Sequence, residues 1–161
     1  MADLPGGWLL FVFDDDLKQA FAAPFVALSK HGPAVACAIE EHVMFQEARG
    51  FDAGAEVWRV THDPDAGESV YHLDVEGAPP IQLEEIHTAA IAAQDAEGGE
   101  DADVDLIADV PLKLAMSLCG YKHDEVGPEG MSEFMELRRP KATGESGPVK
   151  TGFFARLFGR G

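Results

Sequence analysis

Apolar residues follow two spacings along this chain, and the change from one to the other marks out its elements. Trp8-Leu9-Leu10-Phe11-Val12-Phe13 is a continuous apolar run, opened by Gly6-Gly7 and closed by Asp14, Asp15 and Asp16. Its length and aromatic content predict a strand buried on both faces. The three aspartates stand where a helix would start, capping its free N–H groups and favouring the positive end of its dipole. Leu17, Phe21, Phe25 and Leu28 follow at helical spacing, with Pro24 predicting a bend or two short pieces, and Gly32-Pro33 the end.

Residues 34–49 carry two signals. Ala, Glu, Met and Gln favour a helix, whereas Val35, Cys37 and Ile39 alternate with alanines, and Val43 and Phe45 keep that spacing. The alternation predicts strands with a break near Glu40-Glu41. Phe51-Asp52-Ala53-Gly54 then has the composition of a hairpin connection into Glu56 to Thr61. Asp63-Pro64-Asp65-Ala66-Gly67 predicts a second turn, leading to a strand over Ser69 to Val75. Trp58 and Val60 must share an inner face with Tyr71, Leu73 and Val75. Antiparallel partners therefore sum to an odd number, because a slip of one residue turns an apolar set outward. Arg59 and Thr61 fall on the other face, with Val70, His72 and Asp74.

After Ala78-Pro79-Pro80 a helix is predicted over roughly 82–95, with Leu83, Ile86, Ala90 and Ile91 inward and Glu84 and Glu85 in its first turn. Residues 95–105 are acid-rich with two glycines and read as a mobile, solvated loop. Pro111 opens a further helix to Leu118 or Cys119, and Gly120 closes it in the left-handed conformation. The expected fold is α+β, a small mostly antiparallel meander packed by about three helices, with a flexible C-terminal tail.

Charge divides the chain in two. Residues 1–137 carry 28 carboxylates against six Lys and Arg, whereas the last 24 residues carry one carboxylate, Glu145, against six basic side chains. An acidic globular domain over 1–137 is thus followed by a basic segment over 138–161. Its stretch 140–152 has a linker's glycines and prolines. The net charge of −17 disfavours nucleic acid or anionic lipid as a partner of the body. An acidic surface suits a basic protein patch. In the tail, a helical turn would align Phe153, Phe154, Leu157 and Phe158 against Arg156 and Arg160. That makes these six residues the candidate partner-binding set, for a hydrophobic groove or, weakly, a membrane surface.

Catalytic signatures are sparse. There is no GxSxG elbow, no glycine-rich phosphate loop and no HExxH pair. Asp63 and Asp101 each open an acidic stretch, but neither has the glycine and glutamate spacing of an EF-hand. Asp14 to Asp16 do not converge on a metal from a helix entry, so no metal and no cofactor is expected. What remains for an enzyme of unspecified chemistry is His62, His72 and His123 with Asp74 and Arg59, since a histidine oriented by a carboxylate is the raw material of acid–base catalysis. The preferred expectation is a non-catalytic interaction module, adaptor or inhibitor-like, with another protein as partner.

Cys37 and Cys119 lie far apart in apolar surroundings, outside any CxxC or zinc spacing, and read as buried free thiols of a reducing compartment. The N-terminus has no signal-peptide pattern, and no apolar run approaches the roughly 18 residues of a membrane span, so a cytoplasmic protein is expected. Trp58-Arg59-Val60-Thr61-His62-Asp63, Asp103-Val104-Asp105, Val110-Pro111, Leu114-Ala115 and Cys119 to Glu125 together resemble a group of small uncharacterised bacterial proteins. The resemblance spans roughly residues 34–125 and implies a bacterial, cytosolic α+β domain, with no activity attached.

Overall fold

Strand alternation wins over helix propensity in the middle of the chain. The computed structural model describes residues 1–13, 17–67 and 69–137, without the side chains of Leu17 and Lys18. The aspartates at 14–16, Glu68, the linker and the aromatic–basic tail lie outside the described residues. A four-stranded antiparallel sheet runs in the order β3 (Ala34–Glu40), β4 (Phe45–Asp52), β5 (Ala55–His62) and β6 (Asp74–Gly77). The interruption falls where it is expected, as a short 3-10 turn over Glu41–Val43. The β4–β5 hairpin turns through Ala53 and Gly54, both at positive φ, as a primed two-residue turn requires.

Register follows the odd-sum rule. Arg59 pairs with Glu76, Val60 with Val75 and Thr61 with Asp74. One face thus carries Cys37, Ala48 and Val60 in a row, joined by Trp58. Helices α2 (Gln82–Glu97) and α3 (Val110–Cys119) cover this face, packing Leu83, Ala90, Val110 and Leu114 with Ile107 into the core. Gly50 is fixed by this packing, because a Cβ there would lie 2.0 Å from Nε1 of its cross-strand partner Trp58. Gly120 ends α3 in the left-handed conformation.

Three local expectations are corrected. The apolar run at 8–13 yields only β2 (Leu9–Leu10), paired with β1 (Ala2–Asp3), and Leu9 and Val12 are more than half exposed. Among the described residues no second layer sandwiches the run. Instead Phe11 and Phe13 meet Phe25 edge-on, with ring centroids 5.7 and 4.8 Å away. The strand expected over 69–75 starts only at Asp74. The Ser69 hydroxyl accepts the Tyr71 N–H and donates to Glu100, and the Tyr71 hydroxyl bonds Asp95. These local bonds compete with a sheet ladder. Tyr71 and Leu73 still reach the core. The acidic stretch 95–105 is pinned rather than loose, because Gln94 bonds its backbone.

The broken first helix forms as two pieces, a 3-10 turn over Leu17–Phe21 and α1 (Ala23–Leu28), although Leu28 points half into solvent. The turn packs on the sheet face opposite the core helices, where the Phe21 ring lies 4.0 Å from the Arg49 guanidinium. Residues 131–135 return to the N-terminus. Met1 and Met135 exchange backbone hydrogen bonds, and Asp3 bonds Ser132.

Candidate functional site

The two faces of β5 present the chain's most concentrated ionisable chemistry. On the face away from α2 and α3, Arg49 and Arg59 are cross-strand partners, as are Glu47 and Thr61. Glu47 is buried and receives Arg49 Nε at 2.7 Å and the Thr61 hydroxyl at 3.1 Å. Arg59 binds Glu56 at 2.7 Å and Glu76 at 3.2 Å, while Arg49 also reaches Glu56. Two cations shared among three carboxylates offset like-charge repulsion between the paired arginines. Arg59 is therefore a structural counter-ion in a network, and Asp74 lies on the same face beside Thr61.

On the core face His62 ends β5 completely buried. Its Nδ1 lies 2.9 Å from the His72 carbonyl, which can only accept, so Nδ1 carries the proton and donates. Nε2 lies 2.8 Å from Asp105 Oδ2 without a hydrogen bond between them. The other Asp105 oxygen accepts the Ile107 and Ala108 N–H groups, 3.1 and 3.0 Å away, at the entry to α3. Asp105 thus joins the end of the sheet to the start of a helix.

Gln94 performs the companion task from α2. Fully buried, it donates to the Gly99 and Val104 carbonyls and accepts the Leu106 N–H, at 2.8 to 2.9 Å. Three side-chain bonds to backbone hold the acidic segment in place. Burial satisfied in this way offsets the cost of placing an amide in the core.

A third cluster closes α3. Lys122 is buried and sits 2.7 Å from both Asp124 oxygens and 3.1 Å from Asp109, which also pairs with Lys113. Burial pulls the Lys122 ammonium down, but the hydrogen bonds and charges of Asp124 and Asp109 outweigh it and hold it above the ordinary value. The Lys122 hydrogen bond, opposed by partial desolvation, holds Asp124 below the usual carboxylate range.

The sequence candidates separate into these settings. His62 meets His72 only through the latter's backbone carbonyl, and the His72 ring points to Asp74 at 3.5 Å. His123 pairs with Glu41 at 3.3 Å, next to the β3–β4 connection. Arg59 belongs to the opposite face from His62. The imidazoles of His62, His72 and His123 thus engage separate partners, and a shallow groove runs along Ile81, Glu84, Glu85, Thr88, Ala89 and Ala92 of the α2 region. Among the described residues no group of three or more His, Cys, Asp or Glu is placed to hold a metal. The described residues also contain no helix long and apolar enough to cross a membrane.

No site role for Glu47, Gln94, Asp105 or Lys122 was visible in the sequence. Gln94 alone left a trace, as a polar residue among the alanines of an apolar helix stripe. The thiols of Cys37 and Cys119 are both free and electrostatically within reach of one another. Burial, and secondarily Cys119, pushes the Cys37 thiol up to about 12, and burial also raises Cys119. Comparison with protein-family models, characterised proteins and solved structures finds no match to this chain.

Proposed function

We propose that this chain is a non-catalytic protein-interaction module, adaptor or inhibitor-like, that works in the cytoplasm through its acidic body and its aromatic–basic C-terminal tail. The observation that supports the reading is how the charges of the body are used. Of its six Lys and Arg, Arg49, Arg59, Lys113 and Lys122 are each committed to carboxylates of the same chain. The carboxylates left over include Glu84, Glu85 and Glu97 on α2, all exposed, on a helix without Lys or Arg. Exposed Ile81 adjoins Glu84 and Glu85 in the shallow groove. A basic protein surface with a small apolar anchor is the complementary partner.

Affinity purification with the full chain, with residues 140–161 deleted, and with Glu84→Lys/Glu85→Lys separates the two contributions. The body contribution predicts binding that falls steeply with salt and is lost in the charge reversal. The tail contribution predicts partners lost on deletion. An identical partner set for all three proteins would sink the proposal. Flotation with anionic vesicles, with and without Phe153–Phe158, tests the weaker membrane contact of the tail.

A further inference from the structure

Strand β3 has the composition of an interior strand and the position of an edge. Ala34-Val35-Ala36-Cys37-Ala38-Ile39 holds no charge before Glu40, and the sheet order places β3 at one border. Both of its faces are occupied. Val35 and Cys37 pack toward α3 and the core, while the 17–21 turn lies over the alanine side, where Ala38 is buried. Native edges are normally blunted by charges, prolines or shortness. The opposite edge, β6, follows that rule with four exposed residues that include Asp74 and Glu76.

The ladder phase shows what β3 offers. Ala78 N–H donates to the Val57 carbonyl at 3.0 Å, so odd residues of β5 before and after Trp58 turn their backbone groups toward β6. Alternation across antiparallel pairs then directs Trp58, Val60 and His62 to β4, and Arg49 and Glu47 to Ala36 and Ala38 of β3. The N–H and C=O groups of Val35, Cys37 and Ile39 therefore point outward. Among the described residues they have no hydrogen-bond partner.

The geometry points to a second copy of this chain as the occupant, with β3 pairing antiparallel to its own symmetry mate about a two-fold axis at Cys37. That register sets Val35 opposite Ile39, Ala36 opposite Ala38 and Ala34 opposite Glu40, so no like charges face each other. All three outward residues are satisfied, and two four-stranded sheets merge into one. The same axis brings the Glu40-Glu41 end of one copy beside the Lys30-His31 end of the other. Lys30 is exposed, its stem lying along Gly54 of the β4–β5 hairpin, with no ion-pair partner among the described residues, and Glu41, 76% exposed, is paired only with His123 there. This assembly is independent of the partner-binding reading above, since it uses neither α2 nor the tail.

Light scattering coupled to size exclusion on the full chain tests it. The wild type is expected as a dimer. Val35→Pro removes an outward donor without touching the β3–β4 ladder, and is expected to give a folded monomer by circular dichroism. Lys30→Glu, at an exposed position, is expected to weaken the dimer roughly tenfold or more, and Lys30→Glu/Glu41→Lys to restore it. A zero-length carbodiimide should join Lys30 to Glu40 or Glu41 between copies only. Within one chain those groups flank a seven-residue strand, roughly 20 Å long at 3.3 Å per residue, beyond zero-length reach. A monomeric wild type overturns the inference, as does a dimer indifferent to the Lys30 charge swap. Should Val35→Pro fail to fold, the charge-swap series and the crosslink decide.

Discussion

The two faces of β5 handle charge in opposite ways. Toward the helices, one carboxylate, Asp105, stands 2.8 Å from fully buried His62 and accepts the Ile107 and Ala108 N–H groups with its other oxygen. Toward the other side, Glu47, Arg49, Glu56, Arg59 and Glu76 share their contacts, so every charge except Glu76 has more than one counter-ion. Burial makes the first arrangement costly to damage, whereas redundancy and partial hydration make the second tolerant. Position in the fold, more than residue type, sets what an ionisable side chain is worth.

Asp105→Ala should be the most damaging break in this contrast. It leaves the Ile107 and Ala108 N–H groups at the entry to α3 without their acceptor. A loss of about 3 kcal/mol in urea unfolding is expected. Gln94→Ala should cost about 2 to 3 kcal/mol, because three buried backbone groups lose their partner. Hydrogen exchange should then rise first at Val104 to Leu106. On the opposite face Glu47→Gln should cost about 1 kcal/mol, because Glu56 and Glu76 continue to balance the arginines. A Glu47→Gln loss equal to that of Asp105→Ala would erase the distinction.

A finer test uses pH at the α3 cluster. Asp124 is depressed by Lys122, so its stabilisation is complete above the ordinary value of 3.8 and is lost as pH falls through the lower folded value. Lys122 is raised, so its contribution is complete below 10.5 and is lost as pH rises through the higher folded value. Asp124→Asn should lower the neutral plateau and flatten the acid limb, so that the variant and wild-type profiles converge as pH falls through the folded value of Asp124. An unchanged acid limb would show that the pair is too hydrated to matter. The smallest effect concerns the thiols. Near about pH 8 neither Cys37 nor Cys119 should be labelled rapidly by a disulfide reagent until the chain unfolds, because burial disfavours both thiolates.

Much of the frame was legible in the residues. Alternation at Val35, Cys37 and Ile39 predicted β3, and the need to keep Trp58 and Val60 inward predicted the parity of their pairing with β6. Pro111 and Gly120 bounded α3 because each acts through its own backbone geometry. The candidate site was far less legible. Val60 is inward by periodicity, and so is His62 two residues on, but the pattern cannot tell whether a histidine there faces solvent, a metal or an aspartate 43 positions later. Nor does spacing distinguish Arg59 as a catalytic group from Arg59 as a counter-ion.

By itself the sequence determined the strands over 34–62, the turn at Ala53-Gly54, the inward placement of Trp58 and Val60, the two core helices and the charge contrast between residues 1–137 and 138–161. These depend on side-chain period, backbone propensity and composition, all of which are local. The tertiary structure alone decided which carboxylate meets which cation, that Gln94 holds the acidic segment, and that the least polar strand stands at the border of the sheet. Those outcomes depend on contacts between residues far apart in the chain, and a one-dimensional pattern records neither their distance nor their burial.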